Sequence, residues 1–229
     1  HRTPDGLRSV AYEIAMSEMF VPYHDNNAHW FYRAYYDMGE FGFGNMATPL
    51  KGADCPAHAV FQDVTLYLPD GAPYKAARRV CIFEHDPGYP AWRHYESLYE
   101  GVPGMDIHQS RRATELVVRM VATIGNYDYF QDYVFRQDGQ LRIRLISTGV
   151  DAVKAVFSQT LADARAAEET QTGTLVAPNR LAVNHDHFFS YRIDMDVDGR
   201  ANNFSRQKLR AVRQPEGAPR SGIWGLQTE

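Results

Sequence analysis

Three short stretches carry side chains whose types and spacing could do chemistry. In "NHDHFF", His185 and His187 stand two apart. On a strand, residues i and i+2 share a face, so both imidazoles could converge on one ion. Imidazole suits copper, zinc, iron or nickel; the plain alternative is a pair of exposed or hydrogen-bonded histidines. In "ATIGNYDYF", residues 122–130, an apolar run leads into Asn126, Tyr127 and Asp128. A tyrosine among aromatics usually packs a core, and one set between an amide and a carboxylate raises a chemical question. In "YYDMGEFGFG", Asp37 and Glu40 lie beside three glycines, which let the backbone turn sharply and approach a ligand closely. A carboxylate wedged among aromatics can be desolvated into a base near neutrality. Its alternative is a charged surface turn.

A fourth stretch, "DMDVDG", is rich in oxygen ligands at Asp194 and Asp196. It suits a hard cation such as calcium, or simply a solvated turn. Strict alternation puts these aspartates on the face opposite the histidines. One shared ion would then require a bulge.

The elements that must position these residues read mostly as strands. "VFQDVTLYLPDGAP" is an apolar-rich run ending in a Pro-Asp-Gly turn. "YVFRQDGQLRIRLIS" predicts a hairpin around Asp138 and Gly139, with Leu141, Ile143 and Leu145 alternating against Arg142 and Arg144. "HFFSYRIDMDVDG" predicts another long strand, and "ADARAAEET", 162–170, a short helix or polar excursion. No βαβ rhythm appears, so the expected class is all-β, a large antiparallel β-sandwich. The chain of 229 residues is 44% hydrophobic, enough for a sizeable core. With 24 basic and 28 acidic residues it has no nucleic-acid footprint. No apolar run approaches the roughly 20 residues of a membrane helix. Cys55 and Cys81 are either two buried thiols or a disulfide worth about 3 kcal/mol.

Taken in order, "MFVPYHD", "YYDMGEFGFG", "IGNYDY", "GTLVAPN", "NHDHFF" and "DMDVDG" resemble the copper-containing amine oxidases, from about Ser17 to Asn203. "GNYDY", "TGVDAVKAV" and "DMDVDG" are most similar to the bacterial aromatic monoamine, or tyramine-type, branch. The resemblance implies that Tyr127 is converted to topaquinone by copper and dioxygen, and that Asn126 restricts the resulting ring. It implies that the quinone forms a Schiff base with a primary amine. Asp37 then removes the α-proton, and the products are aldehyde, ammonia and hydrogen peroxide. Tyr23 matches the tyrosine that hydrogen-bonds the cofactor's O4 oxygen, and Tyr35 matches a gate at the substrate channel. His185 and His187 match copper ligands. Asp194, the Met195 carbonyl and Asp196 match a peripheral calcium-type site, and Cys55 and Cys81 match a family disulfide. The implied fold is the family's β-supersandwich in an intertwined homodimer.

The family's copper takes a third histidine downstream, and no histidine follows His187 here. The expectation is that residues 1–229 are part of the C-terminal catalytic domain, without its preceding small domains and downstream end. A competing expectation is a catalytically incompetent, amine-oxidase-like domain with a structural or interaction role. A third is an unrelated cupin-type HxH metalloenzyme, which would not need Asn126, Tyr127 and Asp128. Tyr35, Trp30 and Phe31 are compatible with an aromatic amine. The expected compartment is periplasmic or secreted, with the cytoplasm left open.

Overall fold

The structure, a computed structural model, describes residues 1–229. In chain order the strands begin with β1 (Arg2–Thr3), β2 (Gly6–Leu7), β3 (Glu13–Pro22) and β4 (Ala34–Tyr36). Then come β5 (Val60–Tyr67), β6 (Pro73–His85), β7 (Pro90–Tyr95) and β8 (His108–Arg112). β9 (Glu115–Ile124), β10 (Tyr127–Arg136), β11 (Leu141–Gly149) and β12 (Val153–Ala155) follow. After the single helical turn α1 (Ala166–Glu169) run β13 (Gly173–Ala177), β14 (Arg180–Val183) and β15 (Phe188–Asp194). β16 (Gln207–Arg213) and β17 (Gly222–Thr228) end the series. The paired strands are antiparallel, as the all-β expectation required. No helix is long and apolar enough to cross a membrane.

Contacts divide the chain into two compact units, 16–191 and 1–15 with 192–229. Within 16–191, a five-stranded sheet runs in the order β11-β10-β9-β6-β5, and a three-stranded sheet in the order β12-β14-β13. β9 and β10, rich in Val, Ile, Tyr and Phe, are the kind of sequence that fits a pleated, buried surface. Alternation along β9 serves two cores. Val117 and Val121 join Leu50, Phe83, Val134 and the Cys55–Cys81 disulfide on one side. Ala122 and Ile124 join Met16, Met19, Val21, Tyr129 and Val183 on the other. That second core carries the candidate site. The spacing of the cysteines had left two thiols and a disulfide equally open, and the pairing is the one the family resemblance implied.

The interior of the sheet also buries charge. Asp132 on β10 is fully buried and lies directly across from Arg119 on β9 and Arg144 on β11. Arg119 donates Nε and Nη2 to it at 2.7 and 2.9 Å, and Arg144 donates Nε and Nη2 at 2.9 and 2.6 Å. A buried carboxylate must be paired in this way, because an unpaired one is costly. Arg144 was predicted on the polar side of an alternating strand; Asp132 draws its head group inward.

The other unit contains the hairpins β1-β2 and β16-β17 and an ion pair between Arg8 and Asp198, whose Nε–Oδ1 bond is 2.9 Å.

The predicted hairpin around Asp138 and Gly139 is present, closed by Arg136 N–H to the Gln140 carbonyl at 2.9 Å. The Pro-Asp-Gly turn after β5 is present too. Two predicted elements are shorter than expected. The helix of 162–170 shrinks to Ala166–Glu169 because the Asp163 carboxylate accepts the Gln159 and Thr160 amides and holds a turn instead. The strand from 187 ends at Asp194. Asp198, with φ 57°, and Gly199 turn the chain, so the "MDVDG" part lies in a loop.

Candidate active site

Tyr127 opens β10 immediately after the turn at Gly125, whose φ of 58° is of the kind glycine adopts without strain. Across from it, Gly149 ends β11. A Cβ at Gly149 would lie 2.2 Å from the Asn126 carbonyl oxygen, so only glycine lets the two strands meet here. That carbonyl accepts the Val150 amide at 2.9 Å. Asp128 is held from the side by the Thr123 hydroxyl at 2.5 Å, across the β9–β10 register. The carboxylate next to Tyr127 therefore fastens the strand end.

The Tyr127 hydroxyl has two partners. Its Oη is 2.8 Å from the Tyr23 Oη, and it accepts the Ala152 amide at 3.0 Å. On one side Tyr127 lines a cavity of about 250 Å³ together with Tyr23, Tyr35, Asp37, Asn126 and Phe41. Tyr35 stands edge-on to Tyr23 with ring centroids 6.1 Å apart, and it lies the same distance from Phe41. The structure thus gathers Tyr23, Tyr35, Asp37, Asn126 and Tyr127 in one place. Trp30 and Phe31 do not line the cavity. Trp30 is buried against Tyr23 with its face toward Arg33, and Phe31 is 66% exposed.

Asp37 is 3% exposed and has no cation beside it. Burial, and then the like charges of Glu18 and Glu40, push its carboxyl up to about 6. Glu18 is itself fixed by the Met19 and Met38 amides at 2.9 and 2.8 Å. Burial, followed by the hydrogen bond with Tyr127, pushes the Tyr23 phenol up, so it stays a neutral hydroxyl.

On its other side Tyr127 meets the two imidazoles, with ring centroids 5.2 Å from His185 and 5.7 Å from His187. The imidazole centroids are 4.9 Å apart. His185 sits in a bridge to Tyr23, and His187 immediately precedes β15. The expected strand periodicity therefore brings the rings together, although the pair lies just ahead of the strand itself. His185 Nδ1 is 3.0 Å from the Val183 carbonyl oxygen and so donates to it, leaving the Nε2 lone pair for a metal. His187 Nδ1 is 3.1 Å from the Tyr129 hydroxyl, which likewise leaves Nε2 available. Burial, then the neighbouring His185, pushes His187 below its ordinary value and favours the neutral, ligating form. The donor set fits copper. No group of three or more His, Cys, Asp or Glu side chains in this chain is arranged to hold a metal ion. Other histidines face carboxylates, as with His24 and Asp186, His85 and Glu115, and His108 and Asp106.

Asp194, Met195 and Asp196 belong to the other unit. The Met195 carbonyl accepts the Asn202 side-chain amide at 2.6 Å, and the Asp194 carboxylate stands 3.6 Å from Arg192. Sequence reasoning missed Tyr129, Ala152 and Thr123. Tyr129 had a signal: it is two residues from Tyr127 and so shares its face. Ala152 and Thr123 act through backbone or register, which residue type does not announce.

An antiparallel β unit thus sets Tyr127 with two imidazoles on one side and, on the other, a cavity that the buried Asp37 also lines. The family model described as "Copper amine oxidase, enzyme domain" matches residues 2–228, and the chain belongs to that family. It is 42% identical over 220 residues to primary amine oxidase 2 of Arabidopsis thaliana, covering 95% of this chain and 32% of that protein. It is 37% identical over 215 residues to the primary amine oxidase of Klebsiella aerogenes, covering 93% of this chain and 27% of that protein. A copper-containing benzylamine oxidase from Hansenula polymorpha matches in structure with a TM-score of 0.75 at 27% identity, over 96% of this chain and 33% of that one. The chain spans about a third of the length of the curated relatives it matches.

Proposed function

We propose that this chain is part of the catalytic domain of a primary amine oxidase, and that Tyr127 is the precursor of its topaquinone. The observation that carries this is the position of the Tyr127 ring between the two imidazoles and the cavity holding Asp37. Copper and dioxygen would supply the oxidation of the phenol, and the resulting quinone the electrophile for a primary amine, with aldehyde, ammonia and hydrogen peroxide as products. His185 and His187 would hold the copper through Nε2, and a further ligand would come from the rest of a longer catalytic domain.

The chain's own residues do the rest. Tyr23 and the Ala152 amide fix the Tyr127 oxygen, and Asn126, which lines the same cavity, restricts the ring. Asp37, with its carboxyl near 6, takes the amine's α-proton near neutral pH. Tyr35 and Phe41 flank the approach, which favours an aromatic amine. Asp194, the Met195 carbonyl and Asp196 would hold a peripheral calcium ion through oxygen ligands. Exposed apolar side chains such as Trp92, Leu209 and Trp224 on the hairpins β7-β8 and β16-β17 support a homodimer. The disulfide supports a periplasmic or secreted location.

The test is the mass of the peptide containing Tyr127, taken from full-length protein after exposure to copper and oxygen. A gain of oxygen with loss of hydrogen at Tyr127, with a visible quinone band and peroxide release from an aromatic amine, is expected. An unmodified Tyr127 in protein that oxidises amines would overturn the assignment.

A further inference from the structure

The cluster around Asp25 takes no part in the chemistry above. Asp25 is 5% exposed, and its Oδ2 accepts the Lys154 ammonium and the Thr172 hydroxyl, the latter at 2.6 Å. Its Oδ1 accepts the Asn27 amide at 2.7 Å. Lys154 is mostly buried and makes a second contact to Thr172 at 3.4 Å. Burial pushes the Asp25 carboxyl up, but the bonds from Lys154, Thr172 and Asn27 outweigh it and leave the group below its ordinary value. The carboxylate is therefore favoured in its charged form inside the protein. A buried ion pair is a poor source of stability, so its geometry needs another explanation.

The explanation lies in the spacing. Asp25 is two residues from Tyr23, with exposed His24 between two buried neighbours. Lys154 is two residues from Ala152, and exposed Val153 separates two half-buried neighbours. Each charged residue thus lies two positions along the chain from one of the two residues that hold the Tyr127 oxygen. Tyr23 provides its hydroxyl at 2.8 Å, and Ala152 its amide at 3.0 Å. The two segments are far apart in sequence and do not pair as strands with each other. Both are tied to the 172–185 stretch instead, through the Val183 amide to the Ala152 carbonyl at 3.2 Å and the His24 amide to the Asn184 carbonyl at 2.8 Å.

We propose that the Asp25–Lys154 ion pair is a positioning element for Tyr127, clamping to each other the two chain segments whose Tyr23 hydroxyl and Ala152 amide hold its phenol oxygen. The value of the clamp for the reaction rests on the reading of Tyr127 given above; the clamp itself does not. Removing the pair lets the 150–155 segment move relative to Tyr23. The phenol then loses its fixed direction, though the sheets remain intact.

Full-length, copper-free protein tests this. Lys154→Met leaves a buried carboxylate unpaired and can fail to fold, so the charge-free pair Asp25→Asn/Lys154→Met is the main variant. Hydrogen exchange at the Ala152 amide should rise roughly tenfold or more in that variant, with exchange in β9 unchanged, as local opening requires. Lys154→Arg keeps the charge and should keep the amide slow. On adding copper and dioxygen, the quinone band should grow about 10²-fold more slowly in the charge-free variant, the scale expected of a misplaced reacting group. Wild-type exchange at Ala152 in the charge-free variant overturns the clamp, as does quinone formation at the wild-type rate. Fast exchange there supports the clamp even if wild-type protein forms no quinone, a result that would instead overturn the reading of Tyr127.

Discussion

Asp37 and Asp132 are both buried carboxylates in the same unit, 3% and 0% exposed, yet their surroundings are opposite. Asp132 sits mid-sheet with two guanidinium groups delivered by register from the strands on either side. Asp37 follows the short strand β4 and faces the charges of Glu18 and Glu40, with its carboxyl pushed up to about 6. Burial alone therefore does not mark a reactive group. What separates them is whether the fold supplies compensating charge. Where it does, the carboxylate is a structural tie; where it withholds it, the carboxylate is poised to accept a proton.

The largest expected effect bears on the centre that Asp37 would serve. In the complete enzyme, Tyr127→Phe keeps the ring and its packing but removes the oxygen that Tyr23 and Ala152 hold. Amine oxidation and the quinone band should vanish together while thermal unfolding shifts little. Peroxide release from amine at the wild-type rate would show that Tyr127 is not the cofactor precursor.

Asp37→Asn comes next. The amide is nearly isosteric and cannot accept the α-proton, so turnover should fall about 10²–10⁴-fold with the quinone still formed. The same change should raise stability. A carboxyl near 6 in the folded chain and 3.8 unfolded means the folded state binds more protons between those values. Stability is therefore lost as pH rises through that window, by up to about 3 kcal/mol. The variant lacks this loss and should gain on wild type above pH 6 in denaturant titrations. Unchanged turnover would place the base elsewhere.

Asp132→Ala should behave in the reverse manner. It leaves Arg119 and Arg144 without their shared partner, a loss of about 3–5 kcal/mol. Whatever folds should keep a normal pH profile. A variant that unfolds at the wild-type denaturant concentration but has a displaced pH profile would erase the distinction between the two carboxylates.

Much of this site was legible in the chain because its parts are short-range. The His185–His187 pair and the Asn126–Tyr127–Asp128 triplet are fixed by alternation and by a turn. The hairpin at Asp138–Gly139 likewise announces itself locally. What could not be read depends on register between distant strands. The Arg119–Asp132–Arg144 row looks like ordinary charge patterning until β9, β10 and β11 are aligned. The same holds for Asp25 with Lys154, and for the Ala152 amide, where no side-chain type is involved. The "DMDVDG" stretch misled in the other direction. Its alternating polarity looks like strand, and the left-handed conformation at Asp198 decides against it.

The smallest expected effect sharpens the comparison most finely. Burial is the larger cause of the upward push on Asp37, and the charge of Glu18 is the next. Glu18→Gln keeps an oxygen to accept the Met19 and Met38 amides while removing that charge. The Asp37 midpoint should then fall, by less than about one pH unit, because desolvation remains. In the complete enzyme, this would appear as an acidic limb of kcat/KM moved to lower pH, with the plateau rate nearly unchanged. Movement to higher pH, or none, would mean that Glu18 does not act on Asp37 through its charge. Loss of the plateau as well would mean that Glu18 chiefly holds the backbone at Met38. If the midpoint shifts down alone, the reactivity of Asp37 is set in part by a carboxylate that never touches the amine, the inverse of what two arginines do for Asp132.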